Sequence, residues 1–148
     1  MQQLETLQQR VDEFNLLRLQ YARDALPTQG RYVFNFIPVL LHYNNPLLPG
    51  FVNGDVPHGI AAFEPSTEQR NFVQDLSLTA NCDANIDVKE TTLLGLYTMG
   101  STSSIGQCCD SDLDIWICHC HELSRERRLL LENKCLLITQ WAETRGIE

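Results

Sequence analysis

Two aspartates one residue apart, Asp112 and Asp114, follow a Gly-Ser pair, Gly100 and Ser101, in the string Met-Gly-Ser-Thr-Ser-Ser-Ile-Gly-Gln-Cys-Cys-Asp-Ser-Asp-Leu-Asp-Ile-Trp from Met99 to Trp116. Asp-Leu-Asp-Ile alternates as a strand does, so both carboxylates share one face while Leu113 and Ile115 point into a core. Their α-carbons then lie about 6.5 Å apart, two strand rises. Two convergent carboxylates suit a hard cation of the Mg²⁺ type. A glycine followed by a hydroxyl residue lets backbone N–H groups approach phosphate closely, and such groups at a helix start attract anions. The combination predicts a site for a metal–nucleoside triphosphate. Asp112 and Asp114 are its expected metal ligands and catalytic groups. Gly100 and Ser101 form the expected phosphate turn, with Ser103 and Ser104 as further phosphate-binding candidates and Gly106 a weaker one. Asp110 is read as a turn residue rather than a third ligand.

Other reactive side chains have plainer readings. Cys118-His119-Cys120-His121 has metal-ligating residue types, but neighbours on a strand face opposite ways and no second Cys/His pair stands at finger spacing. Cys108-Cys109 reads as a small-residue turn, since adjacent cysteines are awkward to bridge. Trp116 is expected in the core, with lining of a base pocket as the alternative.

The 148 residues, 43% of them hydrophobic, suffice for one large domain or a domain with a helical annex. The net charge of −8 argues against nucleic-acid binding, which needs a basic track along phosphates. It leaves a nucleotide possible, because metal ions neutralise phosphates locally. The N-terminus is polar and helix-patterned, and no apolar run is long enough to span a bilayer. The six cysteines are therefore read as reduced thiols in a cytoplasmic protein.

The elements that must position the site follow from periodicity and breakers. Leu4, Leu7, Val11 and Phe14 predict an amphipathic helix over 2–25, packed on the core and ended by Pro27 and Gly30. Tyr32–His42, interrupted by Pro38, favours helix over strand. Residues 44–65 hold Pro46, Pro49, Gly50, Gly54, Pro57, Gly59 and Pro65, and predict a long ordered loop packed near the site. Ser66-Thr67-Glu68-Gln69 is a capping box opening a helix over 67–78. Thr91–Met99 reads as a buried strand and Asp112–Cys118 as a second. A helix over 123–144 carries Leu131, Cys135, Ile138 and Ala142 on one stripe and Gly146 as its C-cap. The expected class is α+β: helices first, then strand, turn, strand, helix.

These residues match the pattern of the polymerase β-like nucleotidyltransferase superfamily: hydrophobic-Gly-Ser, a gap of about ten, then Asp-hydrophobic-Asp-hydrophobic. The fuller string from Tyr97 to Trp116 closely resembles the bacterial class I adenylate cyclases. So do Leu40-Leu41-His42-Tyr43, Pro46-Leu47, Pro49-Gly50, Val56-Pro57, the opening helix and the Leu129–Trp141 helix. The resemblance covers essentially the whole chain. It implies an enzyme that converts ATP to cyclic AMP and pyrophosphate through attack of the 3′-hydroxyl on the α-phosphorus, with two Mg²⁺ ions, or Mn²⁺ as substitute, held by Asp112 and Asp114. It further implies a small mixed sheet, a third carboxylate from a strand after the last helix, and a C-terminal region linked to a regulatory protein of sugar transport. On that pattern, residues 1–90 form an N-terminal helical and loop region. Residues 91–148 form an incomplete nucleotidyltransferase core, expected to be inactive or nearly so alone. The alternatives are a nucleotidyltransferase acting on a protein or RNA acceptor, and a non-catalytic interaction module using the Leu4–Phe14 helix or the Pro-rich loop.

Overall fold

The computed structural model describes residues 2–79, 88, 90–99 and 112–147. Four helices and one two-stranded sheet are present among them, in the order α1 (Gln2–Ala25), α2 (Thr28–His42), α3 (Thr67–Thr79), β1 (Leu93–Thr98), β2 (Ile115–His119) and α4 (Arg125–Glu143). The fold is α+β. The strands pair antiparallel, and one parallel bridge, Ile60 to Leu93, adds a third segment at the start of β1.

Local chemistry explains most boundaries. α1 breaks at Pro27, whose carbonyl accepts from Arg31 as α2 begins. α2 then runs through both expected breakers. Gly30 is buried within it, close against Leu26, Pro27 and Ile147. Pro38 sits mid-helix. An interior proline costs about 3 kcal/mol, but Val39, Leu40 and Leu41 immediately after it are buried, each worth about 1.5–3 kcal/mol. Burial wins and the helix continues. At α3 the capping box forms in both directions: Ser66 N–H donates to Gln69 Oε1 at 2.8 Å and Gln69 N–H to Ser66 Oγ at 3.2 Å. Ser124 Oγ caps α4 by accepting from Arg127 N–H at 3.2 Å. α4 ends as the glycine predicts. Gly146 takes φ 74°, and its N–H and that of Ile147 return to the carbonyls of Glu143 and Ala142, a Schellman pattern.

The core joins α2 (Val33, Phe36, Leu40), Val73 of α3, Leu93 of β1 and the α4 stripe of Leu131, Ile138 and Ala142. The inner sheet face, Leu96, Ile115 and Ile117 with Leu113 ahead of β2, packs against it. One expectation fails here: α1 is not packed on the core. Leu4 is 74% exposed, and Leu7, Val11, Phe14 and Leu17 are exposed too, because α1 meets the body only towards its C-terminal end, where Ala22 is buried. On this exposed stretch Gln8 Nε2 donates to Asp12 Oδ1 and Gln9 Nε2 to Glu13 Oε1, both one helical turn away.

The loop after α2 is ordered by one buried cation. Lys134 on α4 is fully buried, and its Nζ donates to Tyr43 O (3.0 Å), Gly50 O (3.2 Å) and Asn44 Oδ1 (3.3 Å). Asn44 in turn bonds both the N–H and the carbonyl of Val52. The loop therefore packs on α4 and, through Ile60 and Ala61, on β1 at Leu93. Arg127 adds a surface tie to Glu90 (2.6 Å) and Asp55 (3.2 Å).

Candidate active site

The β1–β2 register decides which side chains meet. Gly95 stands opposite Cys118, Leu96 opposite Ile117, Tyr97 opposite Trp116 and Thr98 opposite Ile115. Pairing continues one residue further, where Met99 N–H donates to Asp114 O at 3.0 Å. β2 itself starts at Ile115, so Asp112 and Asp114 lie in the extended lead-in rather than inside the strand as expected. Alternation nevertheless holds across the boundary. Leu113, Ile115 and Ile117 are half-buried against the core, while Asp112, Asp114, Trp116 and Cys118 are exposed on the other face.

This alternation corrects the reading of Trp116. It is 62% exposed, not buried, because its neighbours Ile115 and Ile117 occupy the inward positions. Its cross-strand partner Tyr97 is 58% exposed, so the strand over 91–99 is buried on one face only. The outer face thus carries two carboxylates and, one pleat further on, an aromatic pair. Gly100, Ser101, Ser103, Ser104, Gly106 and Asp110, together with Cys108 and Cys109, lie outside the described residues.

Chemically, the face offers oxygen donors of the kind Mg²⁺ or Mn²⁺ takes. No group of three or more His, Cys, Asp or Glu side chains gathers into a metal site among the described residues. In the Cys-His run, Cys118 is exposed, while His119 is half-buried with its Nδ1 against Cys120 O at 2.7 Å. Among the described residues, one cavity of about 160 Å³ sits between α2, β2 and α4 beside Ile37, Ile117 and Ile138. Another of about 580 Å³ opens between α1, α2 and the β1 edge, lined by Leu16, Leu19, Phe34 and Leu96 and also by Gly95 and Tyr97. No helix among the described residues is long and apolar enough to cross a membrane.

The family model for the adenylate cyclase N-terminal domain matches residues 3–148. The chain belongs to that family. It is 44% identical over 146 residues to the adenylate cyclase of Escherichia coli strain K12, and 47% identical over 148 residues to that of Proteus mirabilis. The adenylate cyclase of Yersinia intermedia is 41% identical over 146 residues. Each comparison covers 98% of this chain and 17% of the relative, so the chain spans about a sixth of the length of the proteins it matches. No solved structure matches.

Two residues, one at the site and one away from it, carry no signal in the sequence. Tyr97 joins the face of the aspartates through its pairing with Trp116, which alternation along a single strand does not give. Lys134 lies on the α4 core stripe, three residues from Leu131 and four from Ile138, where a lysine gives no signal of burial.

Proposed function

We propose that this chain carries the metal- and phosphate-binding part of an adenylate cyclase site, which converts ATP to 3′,5′-cyclic AMP and pyrophosphate. In this reading Asp112 and Asp114 hold Mg²⁺, or Mn²⁺ in its place, against the triphosphate. The bound ions would lower the pKa of the attacking 3′-hydroxyl and offset charge on the leaving pyrophosphate. The carboxylates orient the triphosphate by fixing where its charge can sit. Gly100 and Ser101, with Ser103 and Ser104, bind its phosphate oxygens. No covalent nucleophile from the chain is required, because the substrate's own hydroxyl attacks and positioning with charge neutralisation supplies the acceleration.

The observation that carries this reading is the match to adenylate cyclases over 98% of the chain, joined to the common exposed face of Asp112 and Asp114. Calorimetric titration with Mn²⁺–ATP, beside the Asp112→Asn/Asp114→Asn double variant, tests it. Binding that disappears in the variant supports the assignment, and equal binding moves the site off these aspartates. A second reading, an interaction module, draws on the exposed Leu4, Leu7, Val11 and Phe14 stripe. Metal-dependent nucleotide binding separates the two.

A further inference from the structure

The outer face of the sheet holds an arrangement that metal binding alone does not use. Tyr97 and Trp116 are cross-strand partners, both more than half exposed, on the face of Asp112 and Asp114. Large aromatic side chains are expensive to leave in water, since each buries 150–250 Å² when covered. Tyr97 also has a defined seat. The space a side chain at Gly95 would fill is taken by the Tyr97 ring: Cε2 and Oη lie 3.2 Å, and Cζ 3.3 Å, from where a Cβ would stand. Gly95 precedes Tyr97 by two residues on the same face, so the ring lies back along its own strand over the glycine. Its backbone needs no glycine for its φ, which is not positive. The glycine is needed for the space.

We infer that Tyr97, seated over Gly95, forms with Trp116 an aromatic platform on which the nucleotide's purine base stacks. This rests on the metal–triphosphate reading of Asp112 and Asp114. Trp116 follows Asp114 by two residues, one pleat or about 6.5–7 Å along the strand. A nucleotide whose phosphates are held at the carboxylates reaches that pleat with its base. Tyr97 supplies the second ring from the facing strand, where it lies over Gly95, opposite Cys118 and one pleat beyond Trp116. Stacking recognises any π-face, so the platform favours purines over pyrimidines by area and does not choose adenine over guanine. Gly95 acts as a positioning residue, through the ring.

The test titrates the 148-residue chain with Mn²⁺–ATP, Mn²⁺–GTP and Mn²⁺–tripolyphosphate, the last carrying the phosphates without a base. Variants are Tyr97→Ala, Tyr97→Phe and Gly95→Val, each checked for native circular dichroism. Tyr97→Ala should weaken ATP and GTP alike by about tenfold or more and leave tripolyphosphate unchanged. Gly95→Val, which displaces the ring while suiting a strand, should reproduce that loss, and Tyr97→Phe should bind as the parent does. The inference is overturned if Tyr97→Ala and Gly95→Val change ATP no more than tripolyphosphate, or if the parent binds the two equally. The metal–triphosphate reading stands in those cases, provided that Asp112→Asn/Asp114→Asn still abolishes tripolyphosphate binding. If that double variant binds tripolyphosphate as the parent does, the reading itself fails.

Discussion

Lys134 shows how one side chain can hold a long loop. Burial lowers its pKa from 10.5 to about 8, because the ammonium has left water for three oxygen acceptors and no carboxylate. Between about pH 8 and 10.5 the unfolded chain therefore holds more protons than the folded one, and this group makes stability rise with pH across that window. Cys135 and Tyr43 act in the opposite sense, since burial raises both. The measurement is urea midpoint against pH for the parent and for Lys134→Met. The parent's advantage over the variant should widen above about pH 8. At pH 7 the variant should lose about 3 kcal/mol, because it strands buried oxygens that had a donor. His42 carries the acid-side counterpart. Its Nδ1 accepts from Ile60 N–H at 3.0 Å, so the folded state needs the neutral ring, and burial with nearby His58 lowers its pKa below 6.5. Stability from this group is present above 6.5 and is lost as pH falls towards the lowered value. A urea midpoint that declines below pH 6.5 in the parent, and not in His42→Gln, is the expected result.

At the scale of elements, the loop on α4 depends on close approach as much as on charge. Gly50 has φ 81°, and a Cβ there would collide with Ile138 Cγ1. Gly50→Ala combines left-handed strain with overpacking and should cost about 3 kcal/mol by denaturant unfolding. Ser66→Ala, which removes only a cap, should cost about 1 kcal/mol. Elements governed by neighbours in sequence were legible before the structure: the α3 capping box, the Gly146 terminus, the α4 stripe and the α1 boundaries. Elements governed by distant packing were not. Pro38 and Gly30 look like breakers until the burial of Val39–Leu41 and the contact with Ile147 are known. The aspartates' shared face was readable from alternation. Trp116 obeys the same rule, although its hydrophobicity suggests the core. Nothing local in α1 reveals that its apolar stripe stays exposed among the described residues.

For the whole molecule, the net charge of −8 sets a condition on any nucleotide. A polyphosphate approaching this surface meets repulsion unless a cation accompanies it. On the proposed function, ATP binding should therefore vanish in excess EDTA and return with Mn²⁺, a reversal that calorimetry or equilibrium dialysis would read. Stability is also divided unevenly through the fold, since α2 and α4 sit in the shared core while Leu4–Tyr21 of α1 is exposed throughout. That division has a consequence in time. Backbone amides of the exposed Leu4–Tyr21 stretch are guarded chiefly by helix–coil equilibrium, whereas those of α2 and α4 open with the core. Deuterium should enter residues 7–17 early and the Val33–Leu41 segment last. Whatever comes to lie on the Leu4–Phe14 stripe would slow the first of these clocks and leave the second unchanged, so the helix reports its own occupancy through exchange.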